Sequence, residues 1–101
     1  MPRFDIYPMP GPNRAGYLVD VQAPLLDHLA TRAVLPLIPA AAAPPPIRDL
    51  NPTISVDGLP HLLLTQAILA IPLRDLKRPI ASAAEHQDTI TRALDLLLTG
   101  F

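Results

Sequence analysis

The last twenty residues, Ser82 to Phe101, constrain this chain most, because they carry the apolar period of an amphipathic helix almost to the C-terminus. Ile90, Ala93, Leu94, Leu97 and Phe101 recur at steps of three and four and line one face, while Asp88, Arg92, Asp95 and Thr99 fall opposite. Ser82 stands three residues before Glu85, the spacing of a reciprocal capping pair, and predicts the helix start. Gly100, which takes the left-handed conformation without a Cβ clash, predicts its stop. A helix of this length is marginal alone in water, so its stripe needs a surface to dock on. The preceding residues must supply it. Docked in that way, the helix leaves Leu98, Thr99, Gly100 and Phe101 at the surface, within reach of a partner.

Those preceding residues read as strands. Arg3 to Pro8 alternates apolar with polar, and after a breaker-rich loop from Pro8 to Asn13 the alternation returns at Tyr17, Val19 and Val21, which predicts a first hairpin. Pro24 ends the second strand. Ala33 to Ile38 is β-prone, and the Pro36 inside it predicts an edge or bulge position. Pro39 to Pro46 contains only Ala and Pro, which suits a stiff connector, with one helical turn at Ala40 to Ala43 as the alternative. Thr53 to Val56 and Leu59 to Ile71 flank Asp57-Gly58, a pair that tolerates the positive φ of a tight reversal. The long second run, with Leu62, Leu63 and Leu64 in succession, is the candidate centre of the sheet, and Leu73 to Ile80 a short final strand. Strands first and one helix last predict an α+β or mostly-β antiparallel domain.

Composition closes off several functions. The 101 residues suit one domain, 1–101, with one modest core. Half are hydrophobic but only 4% aromatic, so Leu, Ile, Val and Ala must do the packing. A net charge of −1 gives no general attraction to a phosphate backbone, which disfavours direct nucleic-acid binding. Cysteine is absent, which removes disulfides and thiolate chemistry and fits a reducing compartment. No signal-peptide run opens the sequence and no stretch reaches the roughly 18 apolar residues of a membrane span. A soluble cytoplasmic protein is expected.

Catalytic and metal chemistry has little to stand on. His28, His61 and His86 are dispersed with no pair at the i, i+4 spacing of a helical metal site. There is no glycine-rich phosphate loop, and Ser55 and Ser82 are the only serines. Asp20 and Gln22, on the face of strand two opposite Val19 and Val21, are either catalytic or the solvent side of a half-exposed strand, and the second reading is favoured. No enzyme activity and no cofactor are expected. Leu25 and Leu26, just past Pro24, either close the end of the core or form an exposed patch, and from the residues alone core closure is favoured.

Taken in order, Phe4-Asp5-Ile6-Tyr7, Val19-Asp20-Val21-Gln22, Leu25-Leu26-Asp27, Val34-Leu35-Pro36-Leu37 and Leu50-Asn51-Pro52 resemble the CcdB-type toxins of toxin–antitoxin modules. Thr65, Pro72, Ile90, Ala93, Leu96 and Gly100, and the total length, continue the likeness. The resemblance implies an SH3-like antiparallel sheet with a small side sheet, one C-terminal helix and a homodimer without catalysis of its own. It also implies two partners, the DNA gyrase A subunit and a CcdA-like antitoxin. By position, the implied gyrase contacts are Leu25, Leu26, Asp95, Leu98, Thr99, Gly100 and Phe101. The best-known plasmid toxins carry Trp before the final Gly, an aromatic before that Trp, and Asn four before it. Here the residues are Thr99, Leu98 and Asp95, so the aromatic stacking surface for a gyrase arginine is missing.

Overall fold

The computed structural model describes residues 3–11 and 15–100. Short runs rich in Leu, Ile and Val between prolines give strands β1 (Asp5–Pro8), β2 (Tyr17–Asp20), β3 (Thr31–Pro39), β4 (Thr53–Val56), β5 (Leu59–Leu63), β6 (Leu69–Pro72) and β7 (Ala81–Ser82). The single α-helix among the described residues, α1 (Gln87–Thr99), comes last. The strand path is β4-β5-β3-β2-β1-β7, with β6 also on β3, and every pairing is antiparallel. The sheet curls into a nearly closed, SH3-like barrel, so the mostly-β class with one terminal helix is the one observed.

β3 is the centre of this sheet, although Pro36 predicts an edge or bulge position. Along one side it pairs with β2, with Val19 opposite Leu35. Along the other it changes partner: Thr31 to Val34 pair with β6, and Leu37 to Pro39 pair with β5. Pro36 sits at the changeover, where its carbonyl accepts from the Leu64 N–H at 2.8 Å. In a strand a residue's N–H and C=O point to the same side. The missing N–H of Pro36 therefore faces the gap between β6 and β5, where no ladder bond is lost.

The partner change also corrects the long-strand reading. Leu59 to Ile71 is two strands separated by a 3₁₀ turn at Thr65–Ala67. The buried Thr65 hydroxyl donates to the Leu50 carbonyl at 2.6 Å, and Asn51 Nδ2 donates to the Leu63 carbonyl and to Gln66 Oε1. Those side-chain bonds draw the chain out of the ladder. Leu73 to Ile80 is not a strand either: it opens as a 3₁₀ turn at Leu73–Asp75, and only Ala81 and Ser82 pair, with Ile6 and Asp5. The Ala-Pro stretch makes a 3₁₀ turn at Ala40–Ala42, close to the helical alternative.

Both sheet faces are covered. On one, Ile6, Val19, Leu35, Leu37 and Leu63 pack with Ile90 and Leu94 of α1. On the other, Tyr7, Leu18, Val34, Ile71 and Leu76 form a second cluster. The helix thus docks through the stripe that its period predicts, with Ile90, Ala93 and Leu94 buried. Its start differs. Ser82 belongs to β7 and its hydroxyl accepts from the Ala84 N–H at 3.1 Å, so no capping pair with Glu85 forms, and a 3₁₀ turn at Ala84–His86 leads into Gln87. The stop is at Gly100, whose φ of 81° lets its N–H reach the Asp95 and Leu96 carbonyls, both at 3.1 Å.

Candidate functional site

Leu25 and Leu26 lie on a 3₁₀ turn, Pro24–Leu26, between β2 and β3. Proline opens it with a preset φ and no N–H to lose, and the Leu26 and Asp27 N–H groups close it on the Ala23 and Pro24 carbonyls at 2.9 and 3.1 Å. Leu25 is 86% exposed and Leu26 41%. Core closure, the reading favoured from the residues alone, is therefore overturned in favour of the exposed patch. The buried side chains beside this turn, Arg32 and Asp20, are polar and offer two leucines no apolar surface to pack on.

The other predicted contacts occupy the last turn of α1. Asp95, Leu98, Thr99 and Gly100 are all exposed, Leu98 at 69%. The Thr99 hydroxyl donates to the Asp95 carbonyl at 2.6 Å, which turns it back on its own helix. Phe101 lies outside the described residues. The structure thus brings Asp95, Leu98, Thr99 and Gly100 together on one helical turn and leaves Leu25 and Leu26 on a separate one. Among the described residues neither hydrophobic cluster includes Leu25, Leu26 or Leu98.

A buried polar cluster stands beside the Leu25-Leu26 turn. Arg32 is 2% exposed and Asp20 1%. Arg32 Nε lies 3.7 Å from Asp20 Oδ2, and Arg32 Nη2 lies 3.6 Å from Asp27 Oδ1. Burial pushes the Asp20 carboxyl up from its ordinary value, against the Gln22 backbone N–H and the Arg32 charge, which both favour the carboxylate. Tyr7 is pushed up as well, by burial first and then by the Asp5 and Asp20 charges. Asp20 is thus neither on the solvent face nor aimed into a cleft. The signal for this burial is in the sequence: Leu18 shares a face with Asp20 and pairs across from Tyr7, so apolar residues occur on both sides of β2.

Among the described residues no group of three metal-capable side chains comes together. His61 is buried, tilted against Tyr17 with ring centroids 5.3 Å apart, and its Nδ1 lies 2.9 Å from the Leu59 carbonyl. Two shallow grooves of about 390 and 410 Å³ are lined by other residues, among them Tyr17 and His61 in one and Leu18 and Ile71 in the other. No helix among the described residues is long and apolar enough to cross a membrane. Of the predicted residues, those described are exposed on two separate turns, Leu25 and Leu26 on one and Asp95, Leu98, Thr99 and Gly100 on the other. Residues 3–100 match the family model described as CcdB protein.

Proposed function

The chain belongs to the CcdB family, the toxins of toxin–antitoxin modules, and on that premise we propose that it is a cytoplasmic, non-enzymatic inhibitor of DNA gyrase. In this reading a homodimer of the 1–101 domain binds the gyrase A subunit and traps the enzyme on cleaved DNA, and a CcdA-like antitoxin reverses the contact. The contact surface is Leu25, Leu26, Asp95, Leu98, Thr99, Gly100 and Phe101. One observation carries this reading: of the large hydrophobic side chains described, the two most exposed are Leu25 and Leu98, one at each of the two places that the family resemblance marks. Leu59, Leu69 and Leu29 are exposed too, at 63%, 41% and 40%, so what supports a partner is the coincidence of the two barest leucines with the positions the family resemblance marks, not exposure by itself.

A second reading follows from Thr99. Its hydroxyl is bonded to its own helix, and no ring stands there to stack on a gyrase arginine. A cation–π contact is worth roughly 0.5–2 kcal/mol and a buried Trp anchor about 2 kcal/mol or more. A molecule lacking both fits a module that binds its antitoxin without poisoning gyrase. A supercoiling assay with purified protein and the host's own gyrase separates the two. Inhibition with accumulation of cleaved DNA, abolished by removing residues 99–101, supports poisoning. Full supercoiling activity at saturating protein, with tight binding of an antitoxin peptide, supports the second reading.

A further inference from the structure

The backbone bonds that close the turn carrying Leu25 and Leu26 are local: Leu26 N–H to Ala23, Asp27 N–H to Pro24, and Leu29 N–H to Leu26. Such bonds alone leave a short exposed turn free to open at little cost, so holding it closed against the sheet needs further anchoring. Two side chains supply that anchoring. Arg32 Nη1 donates to the Leu29 and Thr31 carbonyls at 3.3 and 3.2 Å, and Nη2 donates to the Asp27 carbonyl at 2.9 Å. Gln22 Nε2 donates to the Leu26 carbonyl at 2.9 Å while its Oε1 accepts from the Ala33 N–H at 2.9 Å, which ties the turn to the first part of β3. Of the four carbonyls these two side chains take, three belong to residues 26–29.

We propose that Arg32 and Gln22 are positioning residues for the Leu25-Leu26 contact surface. They clamp the Leu26, Asp27 and Leu29 carbonyls against the ends of β2 and β3 and so present the two leucines in one fixed arrangement. Asp20 supports the clamp from below: its Oδ2 lies beside Arg32 Nε, and its Oδ1 accepts from the Gln22 N–H at 2.9 Å. The planar fork of an arginine reaches several carbonyls at once, which a lysine ammonium on a flexible stem does not do with the same geometry. A surface ordered before the encounter loses less conformational freedom on binding, so the clamp acts on affinity without touching the target. The inference rests on the reading in which Leu25 and Leu26 contact gyrase.

The test is amide hydrogen exchange on the full chain and its Arg32→Lys and Gln22→Ala variants, together with their affinity for the gyrase A subunit. The clamp predicts that the Leu26, Asp27 and Leu29 amides exchange about tenfold faster or more in either variant, while those of Val19, Leu35 and Leu63 keep the parent's protection. Affinity for the gyrase A subunit falls about tenfold or more in parallel. Turn amides unchanged, acceleration by the same factor in turn and strands, or a loosened turn with parental affinity would each overturn the proposal. Should Arg32→Lys not fold, the half-buried Gln22 carries the same test. If the parent chain shows no affinity for gyrase, the target reading fails, and the exchange comparison decides by itself whether the two side chains fix the turn.

Discussion

Asp20 shows how a single side chain departs from its strand's pattern. Period-two alternation places it with Gln22 on a solvent face, yet it is buried beside Arg32, a residue whose position across the β2–β3 pairing is set by tertiary structure. Because burial raises the Asp20 carboxyl, the folded chain holds that proton more tightly than the unfolded one. The contribution to stability is complete below the unfolded value near pH 4 and is lost as pH rises through the raised folded value. Urea unfolding across the acidic range should therefore show a decline in stability with rising pH that is shallower in Asp20→Asn. Glycines offer a second contrast. A Cβ on Gly16, at φ 102°, would lie 2.7 Å from the Leu37 carbonyl oxygen, whereas one on Gly58, at φ 75°, meets nothing within 4 Å. Gly16→Ala should cost about 2–4 kcal/mol and Gly58→Ala about 1 kcal/mol, read from denaturation midpoints.

Among elements, α1 is the most legible, since its stripe is long and its stop is a glycine. Its start is not, because Ser82 is recruited into β7 by pairing with Asp5, a contact no local motif announces. Leu94→Ala should lower stability by about 2–5 kcal/mol if the docked face is as described, and an unchanged unfolding midpoint would contradict it. The β5–β6 break is hidden for a different reason: Thr65-Gln66-Ala67 carries no Gly or Pro, and the turn is made by the bond from Thr65 to Leu50 across the fold. Thr65→Val leaves that carbonyl without its donor and should cost about 1–3 kcal/mol by the same measurement. Pro36 misleads in the other direction. A proline inside a strand argues for an edge, and only the change of partner from β6 to β5 shows why the central strand accepts one.

For the whole molecule, strands first and a helix last are enough to give the class, and the family resemblance supplies the barrel. Of the candidate surface, the helix tail is legible from its period. Leu25 and Leu26 are not, since the side chains buried beside their turn, Arg32 and Asp20, are polar, an arrangement that only the folded sheet reveals. In the proposed function these bare leucines and the end of α1 are the toxin's contact surface. Calorimetric titration of the gyrase A subunit with the parent chain and with Leu25→Glu and Leu98→Glu tests it most directly. Both side chains are exposed, so each substitution should leave stability within about 0.5 kcal/mol. The parent should bind, and each variant should bind about tenfold more weakly or worse; parental affinity in both variants would contradict a contact surface at these leucines.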